Sequence, residues 1–423
     1  MLPRNLWLIL ANLSLIFLLA ACGSQETPAP TPAPTQLTVS LLSNQIAPQG
    51  DQYLAAQITA WGEENRVEIT INRSGLDPAN PPDCGQVGAT DLPALLVADQ
   101  LVDITDLVNR LSQEVGGFTP GALTAVRRDG KYWAVPYAGT TYVFYIRQDK
   151  LDELGLARPD TWAEALAAAE AINVPDQFWG WGMQLGNTGD TRTAFQAQLW
   201  AYGGSLWDEA GQPALDSTAT GEVLDFFRQA WTAGLIPPQA IDWAEDSNNQ
   251  AYQTGQVGLV LNAGSILTYL LENDAALLAK TSVTLIPSGP AGRFIGGTFL
   301  QWGLFKQSEQ VPTCLKLTEW LFSPDRLRGY YQAANGTYLP VAPKLLDDEL
   351  WQRPHLKDVA EMVPYTYAVG YPGPTTPWAL EALQTDLIPQ LIRRVLVDGW
   401  SNDEAIQEAD QTLWQIYERW QTQ

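Results

Sequence analysis

Chemistry that breaks bonds needs nucleophiles, bases or metal ligands at matched spacing, and this chain offers few. Its 423 residues include one histidine, His355, set in Gln352-Arg-Pro-His-Leu-Lys357 with no cysteine at metal-ligand spacing. The sequence contains no phosphate loop, no G-x-S-x-G elbow and no dinucleotide fingerprint after a strand. Carboxylates are plentiful, 47 against 24 basic residues, so spacing alone leaves open a pair of the kind that cleaves glycosidic bonds. The richer signal is aromatic: 17 Trp and 15 Tyr exceed what a core of this size needs. Flat rings suit the apolar C–H faces of a sugar. Asp, Asn, Gln or Arg suit its hydroxyl rim, charged acceptors giving the stronger hydrogen bonds. Any single tryptophan is equally well read as core packing.

The charge balance narrows the partners. Nucleic-acid binding needs clustered Lys and Arg, and a net charge of −23 argues against such a partner. The N-terminus reads as a targeting segment, with Arg4 followed by the mostly apolar run Leu6 to Leu19. Leu19-Ala20-Ala21-Cys22 then matches a bacterial lipobox, which predicts a signal peptide over 1–21 and lipid on Cys22. Gln25 to Thr35 is a Pro-rich tether with nothing to bury, so residues 22–36 read as the lipid-anchored linker. This implies an extracytoplasmic protein held at the bacterial cell membrane. Two further cysteines, Cys84 and Cys314, read either as a disulfide or as unrelated thiols.

The elements that must position these residues are organised around Gly130 to Ile172. Tyr132 to Ile146 is aromatic and β-branched with a break at Gly139, which predicts two strands. Gln148 to Leu154 predicts a short helix ended by Gly155, and Thr161-x-x-Glu164 is a capping box. Trp162, Leu166, Ala169 and Ile172 follow at helical spacing. Elsewhere Leu37–Leu42, Arg66–Asn72, Trp179–Leu185, Val257–Leu261, Val283–Pro287 and Thr298–Phe305 read as strands. Helices are expected at Asp51–Trp61, Thr191–Tyr202, Thr218–Ala233, Ser247–Thr254, from Ser323-Pro324 onward, and from Ser401. Pro377–Asp398 reads as one helical segment kinked at Pro389. Strands alternating with helices predict an α/β fold.

The order of these pieces resembles a known family. G-K-x-x-x-x-P-Y at Gly130, Tyr145 to Leu151, Gly155-Leu and Pro159-x-Thr-Trp-x-Glu164 run as in the extracellular solute-binding proteins of ABC transporters. The likeness is to the sugar-binding group that includes maltose-binding protein. Gly255-x-Val-Gly-Leu with Asn262-Ala-Gly264, Ile286-Pro-Ser-Gly-Pro, Gly296-Gly297, Trp320-Leu-Phe-Ser-Pro-Asp and Gly336-Thr-Tyr-Leu-Pro340 continue it. Asp77 to Gln100 departs from it, being compressed and Pro-rich, and no ligand residue is carried over there.

The resemblance implies a two-lobed, type II periplasmic-binding-protein-like α/β fold, each lobe a mixed sheet flanked by helices and joined by a hinge. It places 37–138 and 283–335 in the N-lobe, and 139–282 and 336–423 in the C-lobe. It implies a small-molecule ligand, a sugar or oligosaccharide, with a polyamine or osmolyte as the alternative, and ABC permease subunits as partners. No cofactor, no metal and no catalysis are expected, and the chain would act as a monomer; the alternative is a secreted glycoside hydrolase. Matching landmarks put Asn44, Tyr137, Trp207, Asn262, Ser265, Phe299, Trp302, Tyr338 and Trp378 forward as ligand contacts, and Asp190, in a glycine-rich loop before a helix, is added as a hydroxyl acceptor. Tyr330-Tyr331 resemble the paired tyrosines of ferric-ion binders, but they fall inside an amphipathic helical pattern.

Overall fold

The computed structural model describes residues 34–42, 47–77 and 79–422; Cys22 and Asn44 therefore lie outside the described residues. The local signals mostly behave as their chemistry requires. β1 (Thr35–Ser40), β2 (Val67–Asn72), β3 (Cys84–Val87), β4 (Ala134–Gly139) and β5 (Val143–Arg147) precede the first long helix of the second half. They are followed by β6 (Trp179–Trp181), β7 (Val257–Asn262), β8 (Thr281–Thr284), β9 (Ile295–Gly296), β10 (Phe299–Leu304) and β11 (Thr366–Tyr367). The main helices used below are α1 (Pro48–Asn65), α2 (Trp162–Ile172), α3 (Gly189–Ala201), α4 (Thr218–Thr232) and α5 (Val311–Leu321). After them come α6 (Pro324–Ala333), α7 (Pro377–Gln384), α8 (Leu387–Leu396) and α9 (Asn402–Gln421).

Helix ends follow the expected caps. Thr161 Oγ1 accepts from the Glu164 N–H while Glu164 accepts from the Thr161 N–H, closing the box that opens α2. Ser401 and Glu404 do the same for α9. Gly155, Gly203 and Gly234 stop their helices with positive φ of 66°, 85° and 67°, a backbone that costs glycine little. Two details differ. Trp179–Leu185 forms only a three-residue strand, β6. The expected kink at Pro389 is instead a break at Thr385-Asp386, and Pro389 sits in the first turn of α8, where its missing N–H would be unsatisfied anyway.

Two sheets divide the chain. The first runs β2-β1-β3-β10-β4, with β10 antiparallel to its neighbours and the other strands parallel to one another. The second runs β8-β5-β7-β6, with β6 and β7 parallel. Each is buried by helices in its own apolar core, one for the N-lobe and one for the C-lobe. The first crossing runs from the end of β4 at Gly139 to the start of β5 at Val143.

The other two crossings shift. β8 pairs with β5, and Ile286 and Ile295 lie in the C-lobe core, so the chain returns at Ile295–Phe299 rather than at residue 283. Tyr338, Leu339, Val341, Leu345 and Trp351 pack in the N-lobe core, not the C-lobe. Gly139 and Leu339 exchange backbone hydrogen bonds of 3.0 and 2.8 Å, which pins that segment to β4. The last crossing therefore lies between Ala360, still in the N-lobe core, and Ala379, in the C-lobe core. Cys84 and Cys314 are bonded, with Cα atoms 6.1 Å apart, and the link fastens α5 onto β3 inside the N-lobe.

Candidate functional site

Strand direction locates the site. In the N-lobe the carboxyl ends of β1, β3 and β4 share one edge with the start of β10. In the C-lobe the carboxyl ends of β6, β7 and β8 share one edge with the start of β5, since Asn262 lies opposite Val143 and Thr284 opposite Phe144. The chain passes directly from the end of β4 to the start of β5, and from β9 to β10. The two carboxyl edges consequently meet at the crossings. Open α/β sheets bind ligands outside that edge, and domain junctions are where small-ligand sites concentrate.

On the C-lobe side this edge is a polar floor. Asp190, in the first turn of α3, is 6% exposed and accepts from Asn248 Nδ2 at 2.9 Å and from Asn262 Nδ2 at 2.8 Å. Asn262 Nδ2 also reaches Asn249 Oδ1 at 2.5 Å. Ser265 Oγ donates to Asn262 Oδ1 at 2.9 Å and accepts from Asn249 Nδ2 at 3.0 Å. Tyr142, in the first crossing, hydrogen-bonds to Asp190 and Thr193. Thr188 caps α3 by accepting from the Thr191 N–H, and Glu245 accepts from the Gly189 N–H at 3.0 Å. Burial pushes the Asp190 carboxyl up to about 6; the Asn248 hydrogen bond opposes this and the nearby Glu245 charge adds to it. Burial, reinforced by the Asp190 charge, likewise raises the Tyr142 hydroxyl.

Aromatic rings stand on the crossing segments. Phe294, Tyr367 and Tyr371 are half-buried, with ring centroids 4.1 Å apart for Tyr367 and Tyr371 and 5.6 Å for Phe294 and Tyr367. Trp200 backs them edge-on to Tyr371 at 5.3 Å. The crossings themselves are tightly tied. Thr141 and Thr366 share a hydroxyl hydrogen bond of 2.7 Å, and the Gly297 N–H donates to Tyr367 O at 2.9 Å. Gly297 leaves no room for a side chain, since a Cβ there would fall 2.3 Å from Thr140 O.

Of the residues put forward from sequence, Asp190, Asn262 and Ser265 come together. Five others are core instead. Tyr137 is 1% exposed, accepts from Gln86 Nε2 at 2.6 Å and stacks on Phe322 at 4.9 Å. Trp302 is fully buried with its N–H on Thr318, and Phe299 is buried with it in the N-lobe core. Tyr338 stacks on Tyr330 in that same core, and Trp207 is buried in the C-lobe core. Trp378 is half-buried against the C-lobe core, donating to Gly211 O at 2.8 Å and meeting Tyr417 edge-on. Tyr330 and Tyr331 are likewise core rings.

The residues missed are Tyr142, Asn248, Asn249, Phe294, Tyr367 and Tyr371. Two of these signals were visible: the adjacent Asn248-Asn249 just upstream of β7, and Tyr365-x-Tyr367-x-x-x-Tyr371 in one short run. Among the described residues no group of three or more His, Cys, Asp or Glu is placed to hold a metal ion. Among the same residues no helix is long and apolar enough to cross a membrane.

Comparison with known proteins agrees with this architecture. Residues 74–360 match the family described as bacterial extracellular solute-binding protein, and the chain belongs to that family. A Brucella abortus (strain 2308) protein named as a binding protein is 25% identical over 229 residues, 53% of this chain and 54% of its own length. The match thus spans about half of that relative. The sugar-binding protein MalE of Xanthomonas citri superposes with a TM-score of 0.72 at 20% identity, covering 91% of this chain and 98% of that one. The cyclic alpha-maltosyl-1,6-maltose binding protein of Arthrobacter globiformis gives 0.72 at 17% identity, covering 90% and 99%. A solute-binding protein of Thermotoga lettingae TMO bound with alpha-D-tagatose gives 0.66 at 19%, covering 90% and 99%. At these identities the likeness establishes the two-lobed fold.

Proposed function

We propose that the chain is the substrate-binding component of an ABC importer, capturing a sugar or oligosaccharide between its lobes and delivering it to the membrane permease. One observation carries the reading: Asp190, Asn249, Asn262 and Ser265 form a hydrogen-bonded floor at the C-lobe strand ends, and the crossing segments carry the half-buried rings of Phe294, Tyr367 and Tyr371. Amide and carboxylate groups suit hydroxyls, and rings suit C–H faces. Relatives of the same fold are named for maltose-type sugars and for alpha-D-tagatose, which supports the same class of ligand. The lobes would close by a hinge at the crossings. Cys22 would carry the lipid, the residues between it and β1, which begins at Thr35 rather than at residue 37, would form the tether, and the mature chain would work as a monomer at the outer face of the cell membrane.

A thermal-shift screen of the mature chain tests this, because a ligand bound only by the folded form raises its stability by mass action. The expected result is a clear shift with at least one mono- or oligosaccharide and no release of reducing sugar on incubation. Reducing sugar released from an oligosaccharide would instead favour a hydrolase. The Asp190 and Glu245 carboxylates beside Tyr142 also suit a cationic ligand. A shift with spermidine and none with any sugar would favour that reading.

A further inference from the structure

Behind the polar floor, three residues that each carry an unpartnered buried polar atom line one hollow in the C-lobe core. Trp162 opens α2 and is 2% exposed, yet its indole N–H has no hydrogen-bond partner among the described residues. Gln184, 3% exposed, donates through Nε2 to Ala244 O at 2.5 Å, which fixes its amide and leaves Oε1 unpartnered. Gln198 on α3, 1% exposed, hydrogen-bonds to Tyr202 with one end of its amide and leaves Nε2 unpartnered. These three residues, with Asp190, Trp181 and Phe227, line a small cavity with about 10 Å³ of space open to a water molecule.

Buried polar groups in folded proteins are almost always paired. Three orphans around one cavity, from a strand end and two helices, are too costly to be independent accidents. We infer that this cavity is a binding site for a single buried water. The donor and acceptor count selects the occupant. Among the lining residues Trp162 Nε1–H and Gln198 Nε2–H are the unpartnered donors, while Gln184 Oε1 is an unpartnered acceptor and Asp190 has spare lone pairs. Water has two protons and two lone pairs, so one molecule satisfies all four. A cation would face two N–H groups, and an anion would face a carboxylate and an amide oxygen. The space fits one water and no larger solute.

The site has a consequence for the floor above it. Asp190 accepts from Asn248 and Asn262 through Oδ2, bonds to Tyr142, and also lines the cavity. The water would support it from behind, linking the candidate ligand floor to α2, and would persist with or without ligand. This inference depends on the burial pattern and not on which solute the cleft holds.

The test is a crystal structure of the wild-type protein at about 1.8 Å or better, with Gln198→Met beside it as a variant of similar volume that lacks the amide. The expected result is one solvent peak about 2.7–3.2 Å from Trp162 Nε1, Gln184 Oε1 and Gln198 Nε2, absent or displaced in the variant. Oxygen-17 relaxation dispersion should then count one fewer long-lived water in Gln198→Met. If that variant does not fold, Trp162→Phe serves, since it removes a different donor to the same water. A wild-type cavity without density, contacts short and numerous enough for a metal ion, or an unchanged count of long-lived waters would each overturn the assignment.

Discussion

Asp190→Asn isolates the electrostatics of the floor. Burial raises the Asp190 carboxyl from 3.8 to about 6, so the folded protein holds that proton more tightly than the unfolded chain. Between about pH 4 and pH 6 the folded state therefore binds more protons, and this group lowers stability as pH rises. Above pH 6 the cost is fully present. Its size is the shift of about two units times 1.36 kcal/mol, or roughly 3 kcal/mol. An amide at 190 removes the titration at little structural expense. Its oxygen can accept from both Asn248 and Asn262, as Oδ2 does now, and its NH₂ can turn to the Tyr142 hydroxyl.

Calorimetric melting of both proteins at pH 4, 5, 6 and 7 reads this directly. The stability of the variant relative to wild type should climb across that range and reach several degrees in Tm at pH 7. Affinity for the solute found by screening should fall tenfold or more at pH 7, because a hydrogen bond to a charged acceptor is lost. A difference in Tm that does not change with pH, or a variant less stable than wild type at pH 7, would refute the reasoning.

Trp378→Ala should lower stability by roughly 3–5 kcal/mol while the folded fraction keeps its affinity, since the ring packs on Tyr417 and anchors Gly211; melting and titration calorimetry on one sample separate the two effects. Gly297→Ala should weaken solute binding tenfold or more with a modest drop in Tm, because its Cβ meets Thr140 O at 2.3 Å and forces the crossing segments apart; an affinity assay beside a melt checks it. Reducing the Cys84–Cys314 link, which spans 230 residues, should cost up to about 5 kcal/mol in the loop-entropy account. Denaturant titration of the oxidised protein and of the Cys84→Ala/Cys314→Ala variant measures that loss.

What was legible in the sequence follows from the range of each interaction. Capping boxes at Thr161 and Ser401 and glycine stops at Gly155, Gly203 and Gly234 act within a few residues, and each appears in the structure. The ordered landmarks carried the two-lobed fold, and of the residues put forward Asp190, Asn262 and Ser265 are hydrogen-bonded together in the structure. The aromatic choices fared differently because a strand has two faces and sequence does not say which one is covered. Trp302 shows this: a register shift between Leu300 and Gln301 alters the alternation along β10, and the ring turns into the core against Thr318. Lobe membership after residue 335 was hidden for a related reason. Tyr338, Val341 and Trp351 are apolar enough for either core, and only the Gly139–Leu339 pairing decides between them. Tyr367 and Tyr371 act through a contact with Phe294 some 70 residues earlier in the chain, beyond the reach of local pattern reading.

The central claim, that the lobes close on a captured solute, is tested most directly by small-angle X-ray scattering of the mature chain. It would be measured with and without the sugar that gives the largest thermal shift. A smaller radius of gyration is expected at saturation, with the same molecular mass, as the two carboxyl edges draw together around the ligand. A profile unchanged at saturating sugar would contradict it.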